Sequence, residues 1–508
     1  MLALPWERVQ QGSILKINLQ GKISDQLSNP DFTTLPQISD VFLKAKYDIR
    51  ISAIYLSIYK LDYSWAILDE IRSEILNFKK SGKLVVAHLP FVITEKEYYL
   101  TCECDEIYAA PAVECSFTSE INPYDYLNDS SRCDRNLIEL IEVQSFKKGK
   151  YKRAQDECTD YHREALKSLR DSIYSVWLDR VLVSGGYKRE KVEKFVNKGI
   201  IEVGKLRDEG FISELVSSAY LSDDVKVYEA NNMLKDDKEV INMLKERTKI
   251  KSLPLVLYEK YSRVRKWSAG IPGGKELIAV IRASGSISSV LNPPFTSING
   301  IFAERIIEQI HRVKDSDRFK AVIIRVESLG GDALASALML REIKLIKIPV
   351  VVSVVDAASG GYSIAMGGQT IVSGNLSLIG SIGVTADVLN YKKVYEKYGL
   401  TANILSRGKF SELHQANHHR LKPHEARLMD KITQNGYDLF RDTAADCRGM
   451  TVDEMEEIAQ GRTWLGKEAV SLGLVDAIGG LSRAIAIARV KSNISQDTPV
   501  TIVEIGSP

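Results

Sequence analysis

Ser359 stands where chemistry could happen. Pro349 to Ala358 reads P-V-V-V-S-V-V-D-A-A, Ser359 and the pair Gly360-Gly361 follow, and then come Tyr362, Ser363, Ile364, Ala365 and Met366. So dense a β-branched run reads as a buried strand, and the stretch after the glycines reads as a helix start. A serine on such a turn has an exposed hydroxyl. Backbone N–H groups of the helix start, that of Gly360 among them, lie beside it and suit an oxyanion. An isolated S-G-G is most often only a glycine turn, so the weight falls on the rest of the chain. A serine hydroxyl is a poor nucleophile until a base takes its proton. None of the seven histidines sits in a motif that could serve, and a serine–lysine pair is a known variant of the same logic. Lysine works as a base only if burial lowers its pKa from about 10.4 towards 7–8.

The elements that must position such a pair occur twice, roughly 260 residues apart. The strand pattern at 12–24 answers to 277–288, the helix 36–47 to 302–313, and the strand 50–59 to 319–328. The helix and strand at 65–80 and 83–89 answer to 334–346 and 350–355. Tyr98 answers to Tyr362, Gly149-Lys150-Tyr151-Lys152 to Gly408-Lys409-Phe410-Ser411, and Gly210-Phe211-Ile212 to Gly473-Leu474-Val475. Alternating strands and helices imply an α/β fold with mostly parallel sheets and flanking helices. The copies differ at the chemistry. Glu95 falls opposite Ser359, and Lys152 falls opposite Ser411. One copy keeps the candidate nucleophile and the other the candidate base, a pattern that a single composite site between the halves explains. We expect an N-terminal domain over 1–245 supplying the lysine, a helical linker over 246–274, and a C-terminal domain over 275–508 supplying the serine.

The remaining composition sets bounds. The chain has 508 residues, 44% hydrophobic and 26% charged, which implies two or more folded domains. A net charge of +2 makes no electrostatic case for nucleic acid. No apolar run approaches the length of about 18 needed to span a bilayer. Six cysteines are too sparse for a disulfide framework. Cys102 and Cys104 alternate along an expected strand without a C-x-x-C partner, and His414, His418, His419 and His424 lack partners at fixed spacing. We therefore expect no metal and no cofactor. Met1–Arg8 has neither a secretory nor a transit-peptide layout.

Taken together, A-A-S-G-G-Y at Ser359, G-K-Y-K at Lys152, G-S-I-G-V at Ser381 and E-S-L-G-G-D at Gly330-Gly331 resemble the signal peptide peptidase A (protease IV) family in its long, two-domain form. The wording from L-A-L-P-W-E-R to G-L-S-R-A-I-A-I-A looks most like the plant plastid members. The resemblance covers nearly the whole chain and is weakest over 117–146. It implies a ClpP/crotonase-like fold, a Ser–Lys dyad of Ser359 and Lys152, and Ser381 as a hydroxyl that orients the lysine. It implies an oxyanion hole from Gly330 and Gly331, which Gly360 would complete, since glycine lets backbone N–H groups come close to developing charge. It also implies homotetramers, peptides leaving a membrane as substrates, peripheral membrane contact, and a plastid location at the thylakoid.

The sequence departs from the family's pattern at four places. Leu329 replaces a usual proline, Arg153 a serine and Ser363 a tyrosine, and the strand before Ser359 is one residue short, D-A-A-S for D-V-A-A-S. A one-residue slip reverses which face each side chain meets, so a bulge or tighter turn is needed to restore the serine. Three readings stay open here: a serine endopeptidase, an inactive paralogue acting in assembly, and a crotonase-type acyl-CoA enzyme for which Glu327, just before the glycines, is the one acid in place.

Overall fold

The computed structural model describes residues 9–27, 33–111, 113–117, 139–143, 160–197, 199–216, 240, 242, 254–289, 300–390, 392–400, 407–408, 410, 413, 421–495 and 497–506. Lys152, Arg153, Ser411, His414, His418 and His419 lie outside them. The first half supplies β1 (Ser13–Gly21), α1 (Leu35–Tyr47), β2 (Ile51–Leu61), α2 (Trp65–Lys79), β3 (Leu84–Leu89) and α3 (Glu95–Thr101). It continues with β4 (Glu106–Ala109), β5 (Glu139–Val143), α4 (Asp160–Gly185), β6 (Glu214–Leu215) and β7 (Leu255–Leu257). The second half supplies β8 (Glu276–Ser284), α5 (Ala303–Lys314), β9 (Phe319–Ser328), α6 (Ala333–Lys344), β10 (Val350–Ala358) and α7 (Gly360–Ala365). After these come β11 (Thr370–Ser373), β12 (Leu378–Gly380), β13 (Ala386–Asn390), α8 (Pro423–Arg448), β14 (Thr463–Leu465), β15 (Ala477–Ile478), α9 (Leu481–Lys491) and β16 (Val500–Glu504).

The duplication is written in the sheets. One runs β7-β1-β2-β3-β4-β6 and the other β16-β8-β9-β10-β11-β15, every neighbouring pair parallel. The Tyr98 hydroxyl donates to the Phe211 carbonyl at 3.0 Å, and the Tyr362 hydroxyl donates to the Leu474 carbonyl at 2.9 Å. Both pairs of residues are the ones the repeat matches. Corresponding helices start alike: the Ser64 side chain accepts from the Ile67 amide ahead of α2, and that of Asp332 accepts from the Ala335 amide ahead of α6.

Two expectations are corrected. The segment 246–274 is not a helical linker throughout. Leu255–Leu257 forms the edge strand of the first sheet, and the Tyr261 hydroxyl behind it donates to Asp48 at 3.0 Å, so this stretch is part of the first half's fold. Its strand is too short for sequence periodicity to register, and only the long-range pairing with β1 defines it. Cys102 and Cys104 do not alternate along a strand either. Cys102 caps the C-terminus of α3 and Cys104 lies in the following turn.

The halves share a core. Val355, Leu376, Leu378 and Leu465 of the second half pack into the first half's apolar cluster. Beside them lies a buried ionic network. Arg325, 1% exposed, donates to Asp25 at 3.0 Å and Ser353 at 2.7 Å, and it also pairs with Glu70. Arg282 donates to the same Asp25 carboxylate at 2.8 Å and to Glu504. Asp25 and Glu70 come from the first half, so the network ties one half to the other.

Candidate active site

All nine residues of β10 are buried, as its valine content requires. Val350, Val352 and Val354 face one core, and strict alternation would send Asp356 after them. Instead the β9–β10 register passes from Val326↔Val354 to Glu327↔Asp356, leaving Val355 unmatched. Val355 stays on the opposite face, against the first half's core, and the bulge returns Ala357 to the face of Val350, Val352 and Val354. Ser359 emerges on the turn that follows.

The turn is strained. Ser359 has φ 56° and ψ −123°, left-handed for a residue with a Cβ, a conformation that costs on the order of 1–3 kcal/mol and persists where surrounding structure imposes it. Strain of this kind at a strand-to-helix turn is what exposes a nucleophilic hydroxyl. The half-buried Ser359 hydroxyl does not cap α7 and has no hydrogen-bond partner among the described residues.

Ser381 lies next door. The Ser359 amide donates to the Gly380 carbonyl at 2.8 Å, and β12 pairs with β10 through Ala357↔Ile379 and Ala358↔Gly380. Ser381 is itself left-handed, with φ 48°. Its amide donates to the Arg462 carbonyl at 2.7 Å, and the Gly461 amide donates to the Ile382 carbonyl at 2.8 Å. This 459–462 support, including the left-handed Gln460, carries no motif and escapes a reading of the sequence.

The glycine pair packs directly on the serine. A Cβ on Gly330, at φ +111°, would lie 2.8 Å from the Ser359 Cβ and 3.0 Å from the Gly360 amide nitrogen. The Gly330 amide is taken by the Ser328 hydroxyl at 3.2 Å, while no hydrogen bond from the Gly331 or Gly360 amide is present among the described residues. The Gly330 carbonyl accepts from Ile287 at 2.9 Å, and Gly331 bridges the same residue. That backbone tie holds the turn where Leu329, 48% exposed, replaces proline. Alanine at Gly330 is expected to lower kcat for peptide hydrolysis by about a hundredfold or more, through displacement of the serine and its neighbouring donors. Steady-state kinetics beside an unchanged far-UV spectrum would check this.

The corresponding positions of the first half carry other residues. Glu95 begins α3 where Ser359 begins the turn, and its carbonyl accepts from the Trp177 indole at 3.0 Å. Counted back from the N-caps Ser64 and Asp332, Asp62 and Tyr63 stand where the second half has Gly330 and Gly331.

Lys152 lies outside the described residues, but the chain on either side of it is placed. Before it, β5 pairs antiparallel with β13, from Ala386↔Val143 to Asn390↔Glu139. After it, α4 docks on the second half, where Ser172 donates to Glu468 at 2.7 Å and Lys467 lies 3.5 Å from Asp179. Among the described residues no group of histidine, cysteine and acidic side chains could hold a metal, and no helix is long and apolar enough to cross a membrane.

Residues 342–495, which include Ser359 and Ser381, match Peptidase family S49. The chain is 46% identical over 523 aligned positions to the chloroplastic serine protease SPPA of Arabidopsis thaliana, covering 100% of this chain and 73% of that protein. The chain belongs to peptidase family S49. A protease 4 of Haemophilus influenzae is 27% identical, covering 85% of this chain and 69% of its own. Among solved structures, a membrane-bound stomatin-specific protease in complex with a substrate peptide is 18% identical, covers 46% of this chain and 94% of its own, and has a TM-score of 0.30. As an S49 member the chain is a serine-type peptidase, a hydrolase. The acyl-CoA reading falls away with this, and Glu327 has another occupation. Its carboxylate accepts from the Asp25 amide at 2.9 Å and from the Ser284 hydroxyl.

Proposed function

We propose that this peptidase works through a composite dyad, Ser359 from the second half and Lys152 from the first, with Ser381 orienting the lysine. The observation that carries the reading is the double docking around Lys152: β5 on β13 before it and α4 against the second half after it. Both contacts hold the first half's chain against the part of the second half that follows Ser381. Eight residues lie between Val143 and Lys152 in the sequence, a span of at most about 30 Å when extended.

The chemistry follows from the roles. The neutral Lys152 amine takes the Ser359 proton as Oγ attacks the scissile carbonyl carbon. The oxyanion that forms meets the Gly331 and Gly360 amides, with Gly330 permitting the close approach. The lysine ammonium then protonates the departing amine, leaving an acyl-enzyme. A water, deprotonated by the same amine, releases the acid and returns the proton to Ser359. A fluorophosphonate probe should add to Ser359, as read by peptide mass mapping. An adduct pattern unchanged in Ser359→Ala would remove the serine from this role.

The substrates in this reading are peptides leaving a membrane, cleaved signal peptides among them. A relative in Enterococcus faecium, 29% identical over 41% of this chain, carries the name putative signal peptide peptidase. The plastid is the proposed location, on the strength of the chloroplastic relative, with peripheral contact at the thylakoid.

A homotetramer completes the reading, and the duplication gives it a physical basis. On α2 the Asp69 carboxylate accepts from the Asn375 amide, and Glu70 from the Leu481 amide and Arg325, all in the second half. Counted from the N-caps, Leu338 on α6 corresponds to Glu70. With Leu334 and Leu345 it leaves an apolar face exposed, which a second copy would cover by repeating the contact between halves. Light scattering should give a tetramer for the wild type and smaller species for the Leu334→Glu/Leu338→Glu variant. An unchanged mass in that variant would place the interface elsewhere.

A further inference from the structure

Two carboxyls sit side by side directly below the proposed catalytic turns. Glu327 on β9 pairs in register with Asp356 on β10. Glu327 lies just before Gly330 in its strand, and Asp356 just before Ser359 in the next. Each reaches the first half. Glu327 accepts from the Asp25 amide at 2.9 Å, and Asp356 lies beside the Ser64 side chain at the start of α2. Each also holds its own half: Glu327 through Ser284 on β8, and Asp356 through the Leu378 amide at 2.8 Å, at the start of the strand that leads to Ser381.

We propose that Glu327 and Asp356 are positioning residues, a paired latch that fixes the first half against the two strand ends carrying the glycine pair and Ser359. The proposal rests on the composite-dyad reading, since only a base supplied by the first half needs such registration. Both contacts go to loops at strand ends, where a small rotation between halves is magnified at the site. A displacement of about 1 Å between reacting groups costs on the order of a hundredfold in rate.

The pair also sits in an acidic setting. The charged groups that act on it are Asp25 from the first half and Arg325 on β9, which the buried network joins to Arg282, Glu70 and Glu504. Loss of hydration, with Asp25 adding repulsion, raises the Glu327 carboxyl to about 7, and burial raises Asp356 to about 6. A carboxyl with a raised folded-state pKa contributes stability that is fully present below its unfolded pKa and is lost as pH rises through the folded value. Wild-type unfolding temperature should therefore fall between about pH 4 and pH 7. The Glu327→Gln/Asp356→Asn variant, whose amides keep an acceptor oxygen and cannot ionise, should flatten that fall.

The test compares kcat, KM and the rate of fluorophosphonate addition to Ser359 in the full chain. Glu327→Leu and Asp356→Leu should each lower kcat by about tenfold to a hundredfold, slow the labelling in step and leave KM within about twofold. Glu327→Gln and Asp356→Asn should stay within about threefold of wild type in kcat. Should a leucine variant fail to fold, Glu327→Ser and Asp356→Ser carry the same expectation. Unchanged kcat and labelling in the truncated variants would overturn the latch, as would amide variants that fall as far as the leucine ones. A wild-type protein whose Ser359 does not label at all would instead remove the dyad reading on which the latch is built.

Discussion

Replacing Ser359 by alanine is expected to abolish measurable peptide hydrolysis while leaving the fold and the oligomer intact. Removing the nucleophile of a serine peptidase costs on the order of a millionfold in kcat, and what survives comes from binding and oxyanion donors alone. The fold should not suffer. Ser359 is half-buried, its hydroxyl caps nothing, and its backbone amide donates a hydrogen bond to the Gly380 carbonyl. Replacement by glycine should also stabilise the chain slightly, because it relieves the left-handed strain at φ 56°. Ser359→Ala and Ser359→Gly should therefore share the same kinetic defect and differ in melting temperature, with glycine higher. Hydrolysis remaining within about a hundredfold of wild type in either variant would move the nucleophile elsewhere.

The second large effect concerns the union of the halves. Arg325→Ala is expected to destabilise the protein by about 3–5 kcal/mol, the range for breaking a buried ion pair and leaving its partner uncompensated. The guanidinium is 1% exposed and meets Asp25, Glu70 and Ser353 together. Its loss strands the Glu70 carboxylate, whose other bond is to the Leu481 amide. Asp25 keeps Arg282 and should cost less when Arg325 is removed than Glu70 does. The measurement is the urea midpoint of Arg325→Ala beside Arg325→Ala/Glu70→Ala. The double variant should recover part of the loss, because it no longer buries an unpaired acid.

Much of the site could be read from the residues. The valine run of β10 and the glycines after Ser359 specify strand, turn and helix locally, and the repeat pairs Tyr98 with Tyr362 because each makes the same bond to a carbonyl of the same later element. Other features are long-range and leave no local trace. The bulge at Val355 exists only in the register between β9 and β10. The three-residue strand Leu255–Leu257 is defined by its partner β1, and Asp25 meets Arg325 across nearly the whole length between the two halves. Nor does sequence distinguish the two glycines of the pair. Only the bond from Gly330 to the Ser328 hydroxyl separates its amide from that of Gly331.

The central claim is that one half activates the serine of the other. Its most direct measurement is the rate of fluorophosphonate addition to Ser359 in Lys152→Ala, beside Lys148→Ala and Lys150→Ala as neighbours of the same charge. Lys152→Ala should reduce the rate by about a thousandfold or more, with the two neighbours within about threefold of wild type. Labelling of Ser359 at the wild-type rate in Lys152→Ala would contradict the composite dyad.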